Sequence, residues 1–309
     1  MSETEIRSTS GRLPVVMLNA MLKMSIKPQL VVGGGHLHSS RRSMDRWGKW
    51  LPAIKGVSVK KETLAGMPCE VHTPVGSHSN RVILYMHGGG FCVGSAVSHR
   101  NLVSRIADSA AIKTIAMDYR LAPEHPYPGP LDDTVKLYRY CLDQGYKPGN
   151  ILFAGDSAGG NLVLTTLIRL RDEGVPLPAA ACAISPWCDL TMSGTSIQAN
   201  AGNDLILSHQ LLQDFASCYV TPEQRKLPHV SPAFADFSGL PPLLIQVGGA
   251  EVLLDDARAA ARRAEAAGVD VQLEVWEGMQ HVWHYSAFLL QDGRRAITHM
   301  ATFFASHLD

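Results

Sequence analysis

Net charge is what this 309-residue chain lacks most plainly: 28 Lys and Arg balance 28 Asp and Glu, leaving nothing to draw a polyanion or an anionic membrane surface. No nucleic-acid partner is expected. No stretch reaches about 18 uninterrupted apolar residues, so no membrane span is expected either. The opening MSETEIRSTSGR is acidic and polar where a secretory signal needs a basic end and an apolar core, and a cytoplasmic location is the expectation. The six cysteines (Cys69, Cys92, Cys141, Cys182, Cys188, Cys218) form no CxxC pair, which argues against a zinc site or a redox dithiol. They read as small buried hydrophobes, and no metal is called for. Charged residues are also scarce, at 18% beside 46% hydrophobic ones, a balance that excludes intrinsic disorder.

The length admits two small domains or one large α/β domain with insertions. Apolar residues recur at helical spacing over residues 13–24 and 43–51, predicting two N-terminal helices. From Val57 the pattern changes to short β-rich runs, VSVKKETL, CEVHTP and RVILYMHGG. Strand and helix patterns then alternate to the end, which implies βαβ crossovers and a mostly parallel sheet covered on both faces. The alternation fails between Trp187 and about Pro241. A structureless loop of that length is uncommon in a compact domain, so a helical insertion is predicted there.

The run GDSAGG at residues 155–160 follows the apolar residues 151–154 and precedes a helical pattern. This context is what a nucleophile elbow requires: glycines flank a serine held in a strained turn, exposing the Ser157 hydroxyl above the strand ends. Serine needs a general base and a group that orients it, and on such a scaffold these follow in the order acid, then histidine. His281 and His284 both lie just beyond the last strand, in EGMQHVWH. The turn Gly278-Met279-Gln280 favours His281, whereas His284 reads as opening the final helical region.

Three successive glycines, Gly88, Gly89 and Gly90, follow the strand ending at Met86, letting backbone N–H groups approach a ligand closely. With the N–H of Ala158 they are the candidate oxyanion hole. A phosphate cradle is disfavoured because no Lys-Ser or Lys-Thr follows. His87 reads as a brace for this loop.

Together HGGGF at 87–91, DYRLAPEHPYP at 118–128 and GDSAGGN at 155–161 resemble the hormone-sensitive-lipase-like (bacterial family IV) esterases of the α/β-hydrolase superfamily. The resemblance implies an α/β-hydrolase fold, a mostly parallel eight-stranded sheet flanked by helices, with a helical cap. The cap would comprise residues 1–56 and an insertion at about 188–240 of a catalytic domain spanning 57–309. It also implies a carboxylesterase for short- to medium-chain acyl esters, acting on a small-molecule ester without cofactor, and a homodimer of the kind common in that family. Asp118 and Arg120 fall in a structural motif and are expected to pair with each other. Two other readings of the same residues are an amidase or carbamate hydrolase and a non-catalytic small-ligand receptor.

The sequence departs from the family at the acid. Many members carry Asp-Pro-Leu-x-Asp, whereas this chain reads Ala250-Glu251-Val252-Leu253-Leu254-Asp255-Asp256. Glu251 lies nearest the end of the preceding strand and thirty residues ahead of His281, the family's usual spacing, and is the expected acid. Asp255 is the alternative. It and Asp256 stand where they would cap the following helix and favour its dipole.

Overall fold

The runs Val82–Met86 and Ile151–Ala154 show no polar alternation because both of their faces are covered; every side chain in them is fully buried. They belong to the centre of one nine-stranded sheet in the computed structural model, which describes residues 3–11, 15 and 36–308. The strands are β1 (Glu3–Ile6), β2 (Val57–Leu64), β3 (Met67–Pro74), β4 (His78–Met86), β5 (Ile112–Met117), β6 (Ile151–Asp156), β7 (Ala180–Ile184), β8 (Leu243–Gly248) and β9 (Val271–Trp276). Their order across the sheet is β1-β9-β8-β7-β6-β4-β5-β3-β2. Pairing is parallel from β5 through β1 and antiparallel at β2 and β3.

The helices are α1 (Leu37–Trp50), α2 (Ala96–Ala110), α3 (Gly129–Asp143), α4 (Ala158–Asp172), α5 (His209–Tyr219), α6 (Leu254–Ala266) and α7 (Gln291–Ala305). Leu102, Val103 and Ile106 of α2 and Ile297, Met300 and Phe304 of α7 bury one sheet face, on Ile83, Tyr85, Leu152 and Ala154. Side chains of α3, α4 and α6 join the larger core on the other face, with Leu84, Met86 and Phe153. Of the two N-terminal helices predicted, that over 43–51 corresponds to α1, and that over 13–24 lies, apart from Val15, outside the described residues. The insertion between β7 and β8 is only partly helical, with α5, one turn at Ser196–Ala199 and short 3₁₀ segments at Pro222–Lys226 and Pro232–Phe234.

The expected eight strands become nine because β1 adds to the edge at β9. Only Ile6 of its four residues is buried, so the segment carried no apolar periodicity to read. What holds it is a clamp further along. Asp292, fully buried at the start of α7, accepts hydrogen bonds from Ser8 Oγ (2.6 Å), Thr9 N (3.1 Å), Thr9 Oγ1 (2.8 Å) and Ser10 N (3.0 Å), and pairs with Arg295 (2.8 Å). Burial alone would raise the Asp292 carboxyl, but these donors hold it well below the usual carboxylate range. Asp292→Ala is expected to destabilise the protein by about 3 kcal/mol, since hydrogen bonds to an ionised group are the strong ones. Because the native value is lowered, the clamp is at full strength above about pH 4 and is lost progressively below it. Urea melts of both proteins at pH 7 and pH 3 should therefore show the gap narrowing in acid.

Candidate active site

Adjacent parallel strands bring their carboxyl ends to one edge of the sheet, and the loops that leave β4, β6, β7, β8 and β9 meet there. Those loops carry the glycines 88–90, Ser157, Ser185, Glu251 and His281 respectively. The topology therefore gathers residues up to 193 positions apart in sequence into one site.

Ser157 occupies the turn between β6 and α4 at φ 56°, ψ −119°, a conformation no L-residue adopts without support. The flanking glycines supply room for it. A Cβ on Gly159 would lie 2.0 Å from the Met86 carbonyl oxygen, and one on Gly155 would lie 2.6 Å from the Gly159 oxygen. Any side chain at either place would push α4 off the sheet.

His281 Nδ1 donates to Glu251 Oε2 at 2.7 Å, and both residues are buried. Glu251 Oε1 accepts from the Gly248 amide (2.5 Å) and from Ser185 Oγ (2.7 Å). Burial alone would depress the His281 imidazole, but the hydrogen bond and charge of Glu251, reinforced by Asp204 and Asp156, lift it above the usual histidine range. Ser157 and His281 front the same cavity, and no hydrogen bond joins their side chains across it. Such contacts commonly close only around substrate. His284 is not in a position to serve as the base. It is buried, its Nε2 lies 2.9 Å from Gln246 Oε1, and burial holds its imidazole down to about 3.

The glycine loop differs from expectation at one position. The Gly88 amide donates to Asp156 Oδ1 at 3.1 Å, so it points into the protein rather than toward Ser157. Gly88 is thereby removed from the candidate donors, leaving Gly89, Gly90 and Ala158. Gly90 (φ 59°) lies against the Phe215 ring, where a Cβ would meet ring carbon at 2.3 Å. His87 braces the loop as expected: its Nδ1 donates to the Gly88 carbonyl (2.8 Å), and its ring stacks on Tyr119 at 4.1 Å.

Asp118 and Arg120 do not pair with each other. Asp118 Oδ1 accepts from the Ala96 amide at the start of α2 (2.6 Å), whereas Arg120 forks onto Asp133 of α3 at 2.8 Å. As near neighbours leaving β5, they serve helices on opposite faces of the sheet. Asp255 and Asp256 do stand in the first turn of α6, but their carboxylates hold the insertion instead of capping their own helix. Asp256 Oδ2 accepts from the Cys188 and Asp189 amides, and Asp255 Oδ2 accepts from Thr195 Oγ1 and the Ser196 amide.

Several residues that sequence reasoning passed over support this centre. Asp156 is fully enclosed, bonded to Tyr85 Oη (2.6 Å) as well as Gly88, with His99 Nε2 at 3.4 Å. Burial would raise its carboxyl, but His99, Tyr85 and His87 together keep it lowered. Its place inside the GDSAGG run was the available signal. Asn200, Asp204 and Gln280 stitch the insertion to the acid and base loops. Asn200 Nδ2 donates to the Glu251 carbonyl (2.8 Å), Asp204 Oδ2 accepts from the Val252 amide (3.0 Å), and Gln280 Oε1 accepts from the Leu205 amide (2.8 Å). Nothing local in the sequence marks those contacts.

The cavity measures about 170 Å³ and is lined mostly by apolar side chains, among them Met44 and Trp47 from α1, Leu51 just after it, and Ile206, Leu212 and Phe215 from the insertion. Among the described residues its one lining carboxylate is Asp156, already bonded to Tyr85 and Gly88. No cluster of His, Cys, Asp or Glu among the described residues could hold a metal ion, and no helix among them is long and apolar enough to cross a membrane.

Residues 83–285 match the protein family described as alpha/beta hydrolase fold. An acetyl-hydrolase of Streptomyces hygroscopicus is 46% identical over 217 residues, 70% of this chain and 73% of that protein. An esterase of Acinetobacter venetianus is 35% identical over 270 residues, 87% and 88% of the two chains. Among solved structures, an esterase from the bacterial hormone-sensitive lipase family superposes with a TM-score of 0.91 at 38% identity, over 97% of this chain and 99% of that one. Relatives at these identities, matched along most of their own length, leave one placement: the chain belongs to the α/β-hydrolase fold family, among its hormone-sensitive-lipase-like esterases.

Proposed function

We propose that this protein is a serine carboxylesterase that cleaves short- to medium-chain acyl esters through an acyl-enzyme intermediate. The observation that carries the reading is the strained Ser157 turn facing, across one apolar cavity, an imidazole oriented by a buried carboxylate. His281 takes the Ser157 proton as Oγ attacks the ester carbonyl, and the amides of Gly89, Gly90 and Ala158 stabilise the oxyanion. His281 then protonates the departing alcohol. Water, activated by the same imidazole, attacks the acyl-enzyme and releases the acid and Ser157.

A cavity of about 170 Å³ is close to the ~150 Å³ apolar cavities that admit one benzene. It suits a small acyl or alcohol group. Of the cap expected over residues 1–56 and 188–240, α1 and the insertion take that role, since α1 and α5 supply much of the apolar lining, whereas residues 3–6 belong to the sheet as β1. The test is kcat/KM for p-nitrophenyl acetate, butyrate, octanoate and palmitate, with p-nitroanilide amides as a comparison. Activity concentrated on acetate and butyrate is the expected result. Faster turnover of palmitate or of the amides would overturn the assigned class.

The pH profile follows from His281. The base works only when neutral, and its environment raises its protonation above the usual value of about 6.5. The acid limb of kcat/KM is therefore expected with a midpoint above pH 6.5, the rate falling as pH drops through it. A stopped assay with a pH-independent chromophore measures it.

A further inference from the structure

Ser185 stands at the end of β7, between the strand that leads to Ser157 and the strand that leads to Glu251. It is wholly buried and adopts φ 45°, a left-handed conformation with no glycine to ease it. Its amide donates to the Gln246 carbonyl at 2.6 Å, fixing the residue to β8. From there its hydroxyl does two things at once: Oγ donates to Glu251 Oε1 at 2.7 Å and accepts the Val282 amide at 3.2 Å.

Val282 directly follows His281. The contacts therefore close a ring: His281 Nδ1 to Glu251 Oε2, Glu251 Oε1 to Ser185 Oγ, and Ser185 Oγ to the amide after the histidine. We propose that Ser185 is a positioning residue of the catalytic centre, locking the carboxylate of Glu251 and the loop bearing His281 into a single register. The inference rests on the assignment of Glu251 and His281 as acid and base.

Two physical arguments distinguish this from ordinary satisfaction of a buried hydroxyl. A glutamate has one more rotatable bond than an aspartate, so a bond to His281 through one oxygen leaves the carboxylate able to swing. Gly248 N and Ser185 Oγ hold the second oxygen from two directions and remove that freedom. A carboxylate with no solvent contact also needs donors on both oxygens, and Ser185 is the side chain that supplies one besides His281. The same hydroxyl accepts from the base-bearing loop, so a shift of either loop breaks a bond to the other.

The test measures kcat, KM and Tm for Ser185→Ala, Ser185→Cys, Glu251→Gln and the Ser185→Ala/Glu251→Gln double variant. Active sites are titrated with an organophosphonate so that kcat refers to folded, competent enzyme. Ser185→Ala is expected to lower kcat by about 10- to 100-fold, the loss of one bond to a charged acceptor, with KM unchanged. Ser185→Cys, a weak donor, should fall between it and the wild type. In the Glu251→Gln background the same alanine should cost less than about 3-fold, because Ser185 acts through the carboxylate already removed. Equal losses in both backgrounds, or wild-type kcat in Ser185→Ala, would overturn the proposal. A Glu251→Gln variant that keeps its activity would instead overturn the assignment of the acid itself.

Discussion

Ser157→Ala is expected to lower kcat by about 10⁶-fold, the scale at which a serine hydrolase loses its nucleophile, while the protein folds as before. The separation of the two effects follows from the site. Ser157 Oγ has no hydrogen-bond partner among the described residues, so removing it orphans nothing, and the turn at φ 56° is imposed by the backbone bonds from Ser157 N to the Ile184 carbonyl and from Asn161 N to Ser157 O. Alanine adopts that turn at no greater strain than serine. The oxyanion amides of Gly89, Gly90 and Ala158 stay in place, and residual activity above the uncatalysed rate is expected from them. Rate measurements beside thermal melts of the same preparation separate chemistry from folding.

Glu251→Gln should cost about 10³- to 10⁴-fold in kcat, the loss seen when a triad carboxylate no longer holds the imidazole in its working tautomer. The amide has one acceptor oxygen where the carboxylate has two, and three donors converge on it: His281 Nδ1, Gly248 N and Ser185 Oγ. Either His281 or the Gly248 and Ser185 pair must then face an NH₂ group. With the charge gone, the acid limb of kcat/KM should also move downward. Asp255→Asn is expected to behave differently, because its carboxylate bonds Thr195 and Ser196 rather than His281. About 1–2 kcal/mol of stability should be lost, with kcat held within a few-fold. The opposite pattern would move the acid to Asp255.

What was legible in the sequence was what local sterics or double-sided burial dictate. GDSAGG is readable because Gly155 and Gly159 must pass within van der Waals distance of backbone oxygens. The central strands are readable because covering both faces leaves continuous apolar runs. Contacts made across the fold left no such trace. That Gly88 turns its amide to Asp156 depends on Tyr85 and His99 fixing that carboxylate from other elements. Asp255 and Asp256 look like ordinary helix-start acids until the insertion is laid against them. β1 escapes notice because an edge strand with one buried residue needs no apolar pattern, only a neighbour and the Asp292 clamp.

The central claim is that one serine, made nucleophilic by this arrangement, carries the reaction. Treatment with a fluorophosphonate followed by peptide mass spectrometry tests it most directly. The account predicts one adduct per chain, on the peptide containing Ser157, with ester hydrolysis lost in proportion to labelling and no adduct in Ser157→Ala. Loss of activity with the adduct on another residue, or full activity after complete labelling of Ser157, would contradict it.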